Sequence, residues 1–153
     1  DLGNGVRLVI EQNRVALTSH TGPPTLPWTR LAIPGSTTVH DWVIDIAVTE
    51  HKTAWDGDPW HAVIDLRELG EPAIVRSREP GDRIQLSEHL ETVSLQNLLV
   101  NVKMPRTIRD SLPLIVGAYG IAWVAGVRIA SWAKATDKTS RVCDVRVRRV
   151  EGQ

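Results

Sequence analysis

Seven cations in the second half of this chain are the residues best suited to chemistry, and they favour the binding of an anion. Arginine forks match phosphate oxygens in a bidentate manner, so arginine-rich sets suit planar anion recognition. Two pairs are spaced to share a face, one at i, i+2 on a predicted strand and one at i, i+3 after a proline. The seven cations are Arg76, Arg78, Arg83, Lys103, Arg106, Arg109 and Arg128.

The alternative interpretation of these cations is a solvated rim with local ion pairs. Arg109 precedes Asp110 and Arg83 follows Asp82, so each could be neutralised by its neighbour. The net charge is zero, but residues 1–70 hold five cations and nine acids, whereas residues 71–153 hold thirteen cations and nine acids. This asymmetry reflects either an anionic partner of the second half or chance scatter of surface charge.

A second cluster lies in a polar loop and has the ligand types of a divalent-metal site. Its spacing matches no zinc or calcium template, and polar loops also collect such residues. Trp55 and Trp60 flank the loop and either stack on bases or anchor it. A metal-dependent enzyme is therefore one alternative function. The cluster consists of His51, Asp56, Asp58 and His61.

Familiar catalytic motifs are absent, so we predict no catalytic residue and no cofactor for this chain. The sequence lacks a phosphate-cradling glycine loop with its lysine, a Gly-x-Ser-x-Gly elbow and a His-Glu-x-x-His helix. Cys143 is the single cysteine, which excludes an internal disulfide. No apolar run reaches the ~18 residues of a membrane span. We expect a cytoplasmic protein without membrane contact.

Periodicity and turn residues predict an α+β fold with two subdomains, divided near Gly70-Glu71-Pro72. Residues 1–70 are predicted to be β-rich and residues 71–153 to form a small mixed sheet-and-helix module. A strand over Thr37–Val48 should turn every second side chain to the core, namely Trp42, Ile44, Ile46 and Val48.

The second module begins with a predicted type II turn at Glu79-Pro80-Gly81-Asp82. A helix is predicted after an N-cap at Ser94, and Pro105 can open a second, short one. The apolar positions of the first helix are Leu95, Leu98, Leu99 and Val102.

Two further strand predictions complete this module. Leu114–Val116 and Ile121–Val124 should form a hairpin, with Trp123 in or near the core. The last predicted strand, Arg141–Val150, is expected at a sheet edge, because its charges would discourage pairing between edges. Those charges are Arg146, Arg148 and Arg149.

The order of residues 73–130 resembles the C-terminal domain of the tRNA(Ile)-lysidine synthetase family. That family's pattern is an apolar strand and R-x-R-x-x-G-D-R, an apolar-faced helix, a K-x-P-x-x-x-R-D turn, L-P-L/V-V and W-V-x-G-x-R. The matching segments here are IVRSREPGDR, SLQNLLVNVKMPRTIRD, SLPLIV and IAWVAGVRIA. Residues 1–66 resemble the linking β-rich region upstream more loosely.

The resemblance implies a role in tRNA modification. Family members use ATP to activate the wobble cytidine of an isoleucine tRNA, and lysine then replaces the activated oxygen to give lysidine. In the family, ATP and Mg belong to an N-terminal catalytic domain with a Ser-Gly-Gly-x-Asp-Ser loop, which this sequence lacks. The chain therefore looks like the part that holds the tRNA body or acceptor stem, with the catalytic domain of its own full-length protein as a partner.

One departure from the family pattern lies ahead of the first helix, where members carry G-x-K-K-L. Here the run is Glu91-Thr92-Val93-Ser94-Leu95, which lacks both lysines. Each neutralised phosphate adds close to one unit to the salt slope, so we expect weaker and less salt-dependent RNA binding.

We therefore expect the second subdomain to bind tRNA through the seven cations, mostly by contacts with phosphates and helix shape, as A-form RNA favours. Another interpretation is a non-catalytic protein-interaction domain, including a homodimer of this chain.

Overall fold

Two antiparallel sheets carry the fold of residues 25–50, 54–89 and 91–150, which the computed structural model describes. The mixture of sheets and short helices confirms the predicted α+β class. In chain order the strands are β1 (Thr29–Arg30), β2 (Gly35–Val39), β3 (Trp42–Thr49), β4 (His61–Asp65), β5 (Ile74–Arg76), β6 (Arg83–Ile84), β7 (Val93–Ser94), β8 (Leu114–Gly117), β9 (Gly120–Val124), β10 (Arg128–Ile129) and β11 (Val142–Arg149).

The helices are short and each follows a local signal in the sequence. α1 (Leu66–Leu69) is capped by the carboxylate of Asp65. α2 (Leu95–Asn101) begins after Ser94, whose hydroxyl accepts the Asn97 N–H at 3.3 Å, as predicted. α3 (Arg106–Arg109) follows Pro105, which has no N–H to leave unpaired.

The four-stranded sheet has the order β2-β3-β11-β4. The prediction of one strand over residues 37–48 is wrong, because the chain reverses at His40 and Asp41, with His40 at φ +52°. Val39 and Trp42 are register partners and both are buried, so the inward face shifts by one residue at the reversal, which unbroken alternation does not predict. The inward face is confirmed for Trp42, Ile44 and Ile46, which are buried, while Val48 is partly buried.

Strand β11 is central, so its predicted position at a sheet edge is wrong. It pairs with β3 along its whole length and with β4 along its first five residues. Its arginines stay on the surface because they pair across the sheet. Arg148 contacts Asp45 at 3.1 Å, and Arg149 contacts Asp41 at 2.9 Å.

The five-stranded sheet has the order β1-β5-β8-β9-β10. The predicted hairpin is confirmed as β8 and β9, which turn at Ala118 and Tyr119, and Trp123 is buried as expected. The ribbon β6-β7 leads directly into α2, whose inward residues Leu95, Leu98 and Leu99 are buried.

One hydrophobic core joins the two sheets. Ile44, Ile64 and Val145 contribute from the four-stranded sheet, and Val75 and Ile115 contribute from the other. The predicted division at residue 70 stays a prediction, and strands cross it, since β1 joins the second sheet and β11 joins the first.

Within the described residues, no helix has the length and apolarity needed to cross a membrane.

Gly126 lies against the ring of Trp60 in the turn between β9 and β10, and the site has no room for a side chain. Its φ is +81°, and a Cβ there would lie 2.6 Å from the Trp60 ring. Trp60 in turn stacks on Trp42 with ring centroids 5.5 Å apart. The contact holds the segment before β4 against the second sheet.

We expect Gly126→Ala to lower the free energy of unfolding by roughly 2–4 kcal/mol, because it combines left-handed strain with overpacking. Urea denaturation measures the loss. Gly57→Ala is the matched control, since Gly57 has φ +88° and nothing within 4 Å of a Cβ. It should lose only about 1–2 kcal/mol. Equal losses in the two variants would show that the Trp60 contact contributes nothing.

Cys143 is fully buried in β11, and desolvation raises the pKa of its thiol to about 11. At pH 8 the native thiol should therefore react with iodoacetamide more than about 100-fold more slowly than in concentrated urea. Mass spectrometry of the alkylated chain measures both rates. Comparable rates would contradict the burial of this side chain.

Candidate nucleic-acid interface

The seven predicted cations divide by their surroundings into neutralised and uncompensated groups. Arg76 is 7% exposed. Its guanidinium contacts both carboxylate oxygens of Asp82, at 2.9 and 3.1 Å, and donates to the Ser77 carbonyl at 2.9 Å. Arg76 is therefore a structural anchor, not the free strand-face cation that its spacing suggested.

Besides binding Arg76, Asp82 stabilises the predicted turn. Its carboxylate accepts the Glu79 N–H at 2.7 Å, and its own N–H donates to the Glu79 carbonyl at 3.1 Å. Gly81, at φ +84°, supplies the left-handed residue that a type II turn requires. The Arg-x-Arg and Gly-Asp-Arg segments thus form one rigid unit in which Arg76 and Asp82 neutralise each other.

Arg78 connects this turn to the end of α3. Its Nε lies 2.9 Å from the carboxylate of Asp110, whose side chain is 57% exposed. The local pairs that we considered, Arg109 with Asp110 and Arg83 with Asp82, are both replaced by pairs with more distant residues. Sequence neighbours predicted the wrong partners because these carboxylates point toward β5 and its continuation.

Arg83 and Arg109 are held in place by neutral acceptors, so their charges remain uncompensated. Arg83 donates to the Thr92 hydroxyl at 2.7 Å and to the Thr92 carbonyl at 2.8 Å. Arg109 donates its Nε to the Met104 carbonyl at 2.9 Å. Both guanidinium groups keep further N–H donors for an external anion.

Lys103, Arg106 and Arg128 are exposed, and their side chains have no hydrogen-bond or ion-pair partner among the described residues. Lys103 follows α2 with φ +60°, and Arg106 opens α3. Together with Arg83 and Arg109, they make five uncompensated cations around α2.

A pair of adjoining depressions runs along α2, and we refer to them together as the α2 groove. One, of about 650 Å³, is lined by Arg83 and Arg128 with the amides of Asn97 and Asn101. The other, of about 370 Å³, is lined by Arg78, Arg83, Asp110 and Gln96. Arg83 lines both, so the two depressions adjoin there. The larger one presents cations beside neutral amides, whereas the smaller one also carries the carboxylates of Glu79, Asp82 and Asp110.

The metal hypothesis gains no support from the loop residues that suggested it. His61 is buried, and its ring nitrogens lie 2.9 Å from Asp56 and 3.0 Å from Asp144. Asp58 caps the Trp60 N–H at 2.9 Å, and His51 lies outside the described residues. In the part of the chain that the structure describes, no three His, Cys, Asp or Glu side chains are placed to hold a metal ion.

Sequence reasoning missed the partners of this loop because they lie on β11. Asp144 comes from that strand, and Arg146 contacts Asp56 at 2.8 Å. The Arg146 guanidinium, followed by the Asp58 N–H, holds the pKa of Asp56 well below its usual range. Only the register between β11 and β4 brings these residues together.

Part of the charge asymmetry between the two halves reflects ion pairs that form between them. Arginines of β11 neutralise acids of the first half, so these three arginines do not add to the positive charge that is available to an external anion. The pairs are Arg146 with Asp56, Arg148 with Asp45, and Arg149 with Asp41.

Two curated relatives resemble most of the chain. The tRNA(Ile)-lysidine synthase of Dehalococcoides mccartyi (strain CBDB1) is 30% identical over 128 residues, covering 82% of this chain and 27% of that protein. The tRNA(Ile)-lysidine synthase of Symbiobacterium thermophilum is 32% identical over 139 residues, covering 83% of this chain and 28% of that protein. The chain thus spans little more than a quarter of the length of these relatives.

The fold and a family model agree with these relatives. A solved structure described as the crystal structure of the TILS C-terminal domain superposes with a TM-score of 0.71 at 24% identity, over 84% of this chain and 99% of that chain. Residues 73–148 match the family model of the TilS substrate C-terminal domain. The chain therefore belongs to the family of tRNA(Ile)-lysidine synthase C-terminal domains.

Proposed function

We propose that this chain binds tRNA through the α2 groove, as the substrate-holding part of a tRNA(Ile)-lysidine synthase. The observation that carries the proposal is a set of five uncompensated cations, of which Arg83 and Arg128 line the groove and the other three lie just after α2 or on α3. The five side chains are Arg83, Lys103, Arg106, Arg109 and Arg128.

The arrangement of the cations suits a phosphate backbone. Counterion release makes such contacts the main source of affinity for nucleic acids. Arg83 and Arg109 are oriented in advance by their bonds to Thr92 and Met104, so less side-chain entropy is lost when a phosphate binds. The side chains of Lys103 and Arg106 are exposed and make no such bonds among the described residues, so they can adapt to the position of a second strand.

The neutral part of the groove suits the minor-groove side of an RNA helix. A-form RNA displays 2′-hydroxyl groups across a wide, shallow minor groove, and proteins recognise it largely by shape. Asn97 and Asn101 are exposed on α2 at i, i+4 and present amides that can donate to and accept from these hydroxyls.

The segment that lacks the family lysines lies within the same groove. Val93 is 40% exposed, and Ser94 caps α2. Both line the larger depression. The remaining cations therefore carry the attraction for phosphate with less help than the family pattern provides.

The chemistry of the full-length enzyme is assigned to another part of the protein. The proposal places no catalytic residue in this chain, and places ATP and Mg in a catalytic domain that activates the wobble cytidine for attack by lysine. This chain contributes by holding the tRNA while that domain reacts, in the cytoplasm where tRNA is modified.

Arg106→Ala combined with Arg128→Ala should weaken binding of an isoleucine tRNA and lower the salt slope by about two, one for each phosphate contact. Both side chains are exposed and lack protein partners among the described residues, so folding should be unaffected. Fluorescence anisotropy over a series of salt concentrations measures the slope.

The control removes the same charge elsewhere. Arg67→Ala combined with Lys138→Ala changes two exposed cations that lie neither in the groove nor on α2 or α3. An equal effect of both double variants would show that RNA binding depends on net charge alone, and it would overturn the assignment of the groove as the binding site.

Light scattering that shows a salt-insensitive self-association without RNA binding would favour a dimerisation domain instead.

Arg76→Met should act on stability and not on RNA contacts. It leaves the Asp82 carboxylate, with 13% side-chain exposure, without its cation, so the free energy of unfolding should fall by roughly 3 kcal/mol. The salt slope of the folded variant should stay within about half a unit of the parent. A slope lower by a full unit would place Arg76 among the phosphate contacts.

A further inference from the structure

A separate cavity of about 550 Å³ opens next to the α2 groove, between the loop before β4 and strand β10. Its lining is mainly apolar, and its volume is typical of sites that enclose small ligands or single chemical groups. The residues that matter here are Trp55, Trp123, Val127 and Ile129 in the walls, with Arg128 and Lys134 also lining the cavity.

Trp55 is presented to solvent and fixed at one edge. The residue is 59% exposed, and its indole Nε1–H donates to the Asp58 carbonyl at 3.0 Å. Trp60, at the other end of the loop, instead packs on Trp42 in the core. Loop anchoring thus falls to Trp60, which leaves the indole of Trp55 free for an external aromatic ring.

The charges at this cavity favour an anionic group beside that ring. Arg128 and Lys134 have no side-chain partner among the described residues. The nearby carboxylate of Asp56 is engaged by Arg146 and His61, so it does not neutralise them. His61 lines the cavity but has both ring nitrogens occupied by carboxylates.

We propose that this cavity binds one unpaired nucleotide that continues from an RNA duplex seated in the α2 groove. The base stacks on Trp55 above the apolar wall, and its phosphate lies between Arg128 and Lys134. The two sites adjoin at Arg128, which lines both. The inference rests on the proposed function, since it takes the duplex in the groove as its starting point.

A nucleotide fits these features better than an apolar side chain of a protein. Aromatic stacking accepts any base, and the adjoining cations supply the phosphate contact that single-stranded nucleic acid requires. An apolar protein segment would bury Arg128 and Lys134 without a counter-charge, at a substantial desolvation cost.

The test compares three self-complementary RNA duplexes with the whole 153-residue chain. One is blunt, one carries a single unpaired adenosine at each 3′ end, and one carries it at each 5′ end. We expect one of the overhanging duplexes to bind roughly 5-fold to 100-fold more tightly than the blunt duplex, in keeping with the stacking of one base. Anisotropy competition at constant salt gives the ratio.

Variants of Trp55 and Tyr119 test whether the affinity gained from the overhang comes from the cavity. Trp55→Ala should remove the advantage of the overhang and leave the affinity for the blunt duplex unchanged, whereas Trp55→Phe should restore part of it. Tyr119→Ala is the matched control, because this exposed aromatic residue, at 69%, does not line the cavity. It should leave the advantage intact.

The outcomes separate this inference from the proposed function. If the blunt duplex binds and neither overhang improves affinity, or if the gain survives in Trp55→Ala, the cavity proposal fails while the groove proposal stands. If none of the three duplexes binds in a salt-dependent manner, the proposed function fails and the cavity proposal fails with it.

Discussion

The insertion of β11 between β3 and β4 is the contact on which most of the molecule depends. Its inward residues, Cys143, Val145 and Val147, belong to the common core. Its outward residues neutralise acids of the first half of the chain, and Asp144 and Arg146 hold the loop that carries Trp55. A single strand thus completes the hydrogen bonds of two neighbours, part of the core and the electrostatic balance of one sheet face.

The arginines of this protein form buried and surface ion pairs, which have different energetic roles. The Arg76–Asp82 pair is largely shielded from water, so it stabilises the turn only while both partners are present. The surface pairs of β11 are exposed to water and add little to the free energy of unfolding, so they mainly cancel charge. Among the cations without a carboxylate partner, Arg83 and Arg128 line the α2 groove, where an anion can use their charge.

Local signals in the sequence predicted the elements that depend on neighbours in the chain. The Pro80-Gly81 turn, the Ser94 cap and the hairpin around Ala118 were all correct, because turn and cap preferences act within a few residues. The reversal at His40 was missed, because the alternation was extended through it although Val39 and Trp42, three residues apart, both face the core.

Partners that lie far apart in the sequence could not be predicted in the same way. The central position of β11 and the pairing of Asp56 with Arg146 follow from sheet order and register, which periodicity does not determine. The cations of the candidate interface were identified by residue type and family pattern. Which of them are neutralised, such as Arg76 and Arg78, required the three-dimensional arrangement.

The late position of β11 in the chain has a consequence for synthesis on the ribosome. Until residue 149 has left the exit tunnel, β3 and β4 each present an unpaired edge, and Asp41, Asp45 and Asp56 lack the arginines that neutralise them. Exposed strand edges are sites of wrong pairing between chains. The negative charge of these acids disfavours such contacts between nascent chains, and the arrival of β11 neutralises that charge as it completes the sheet.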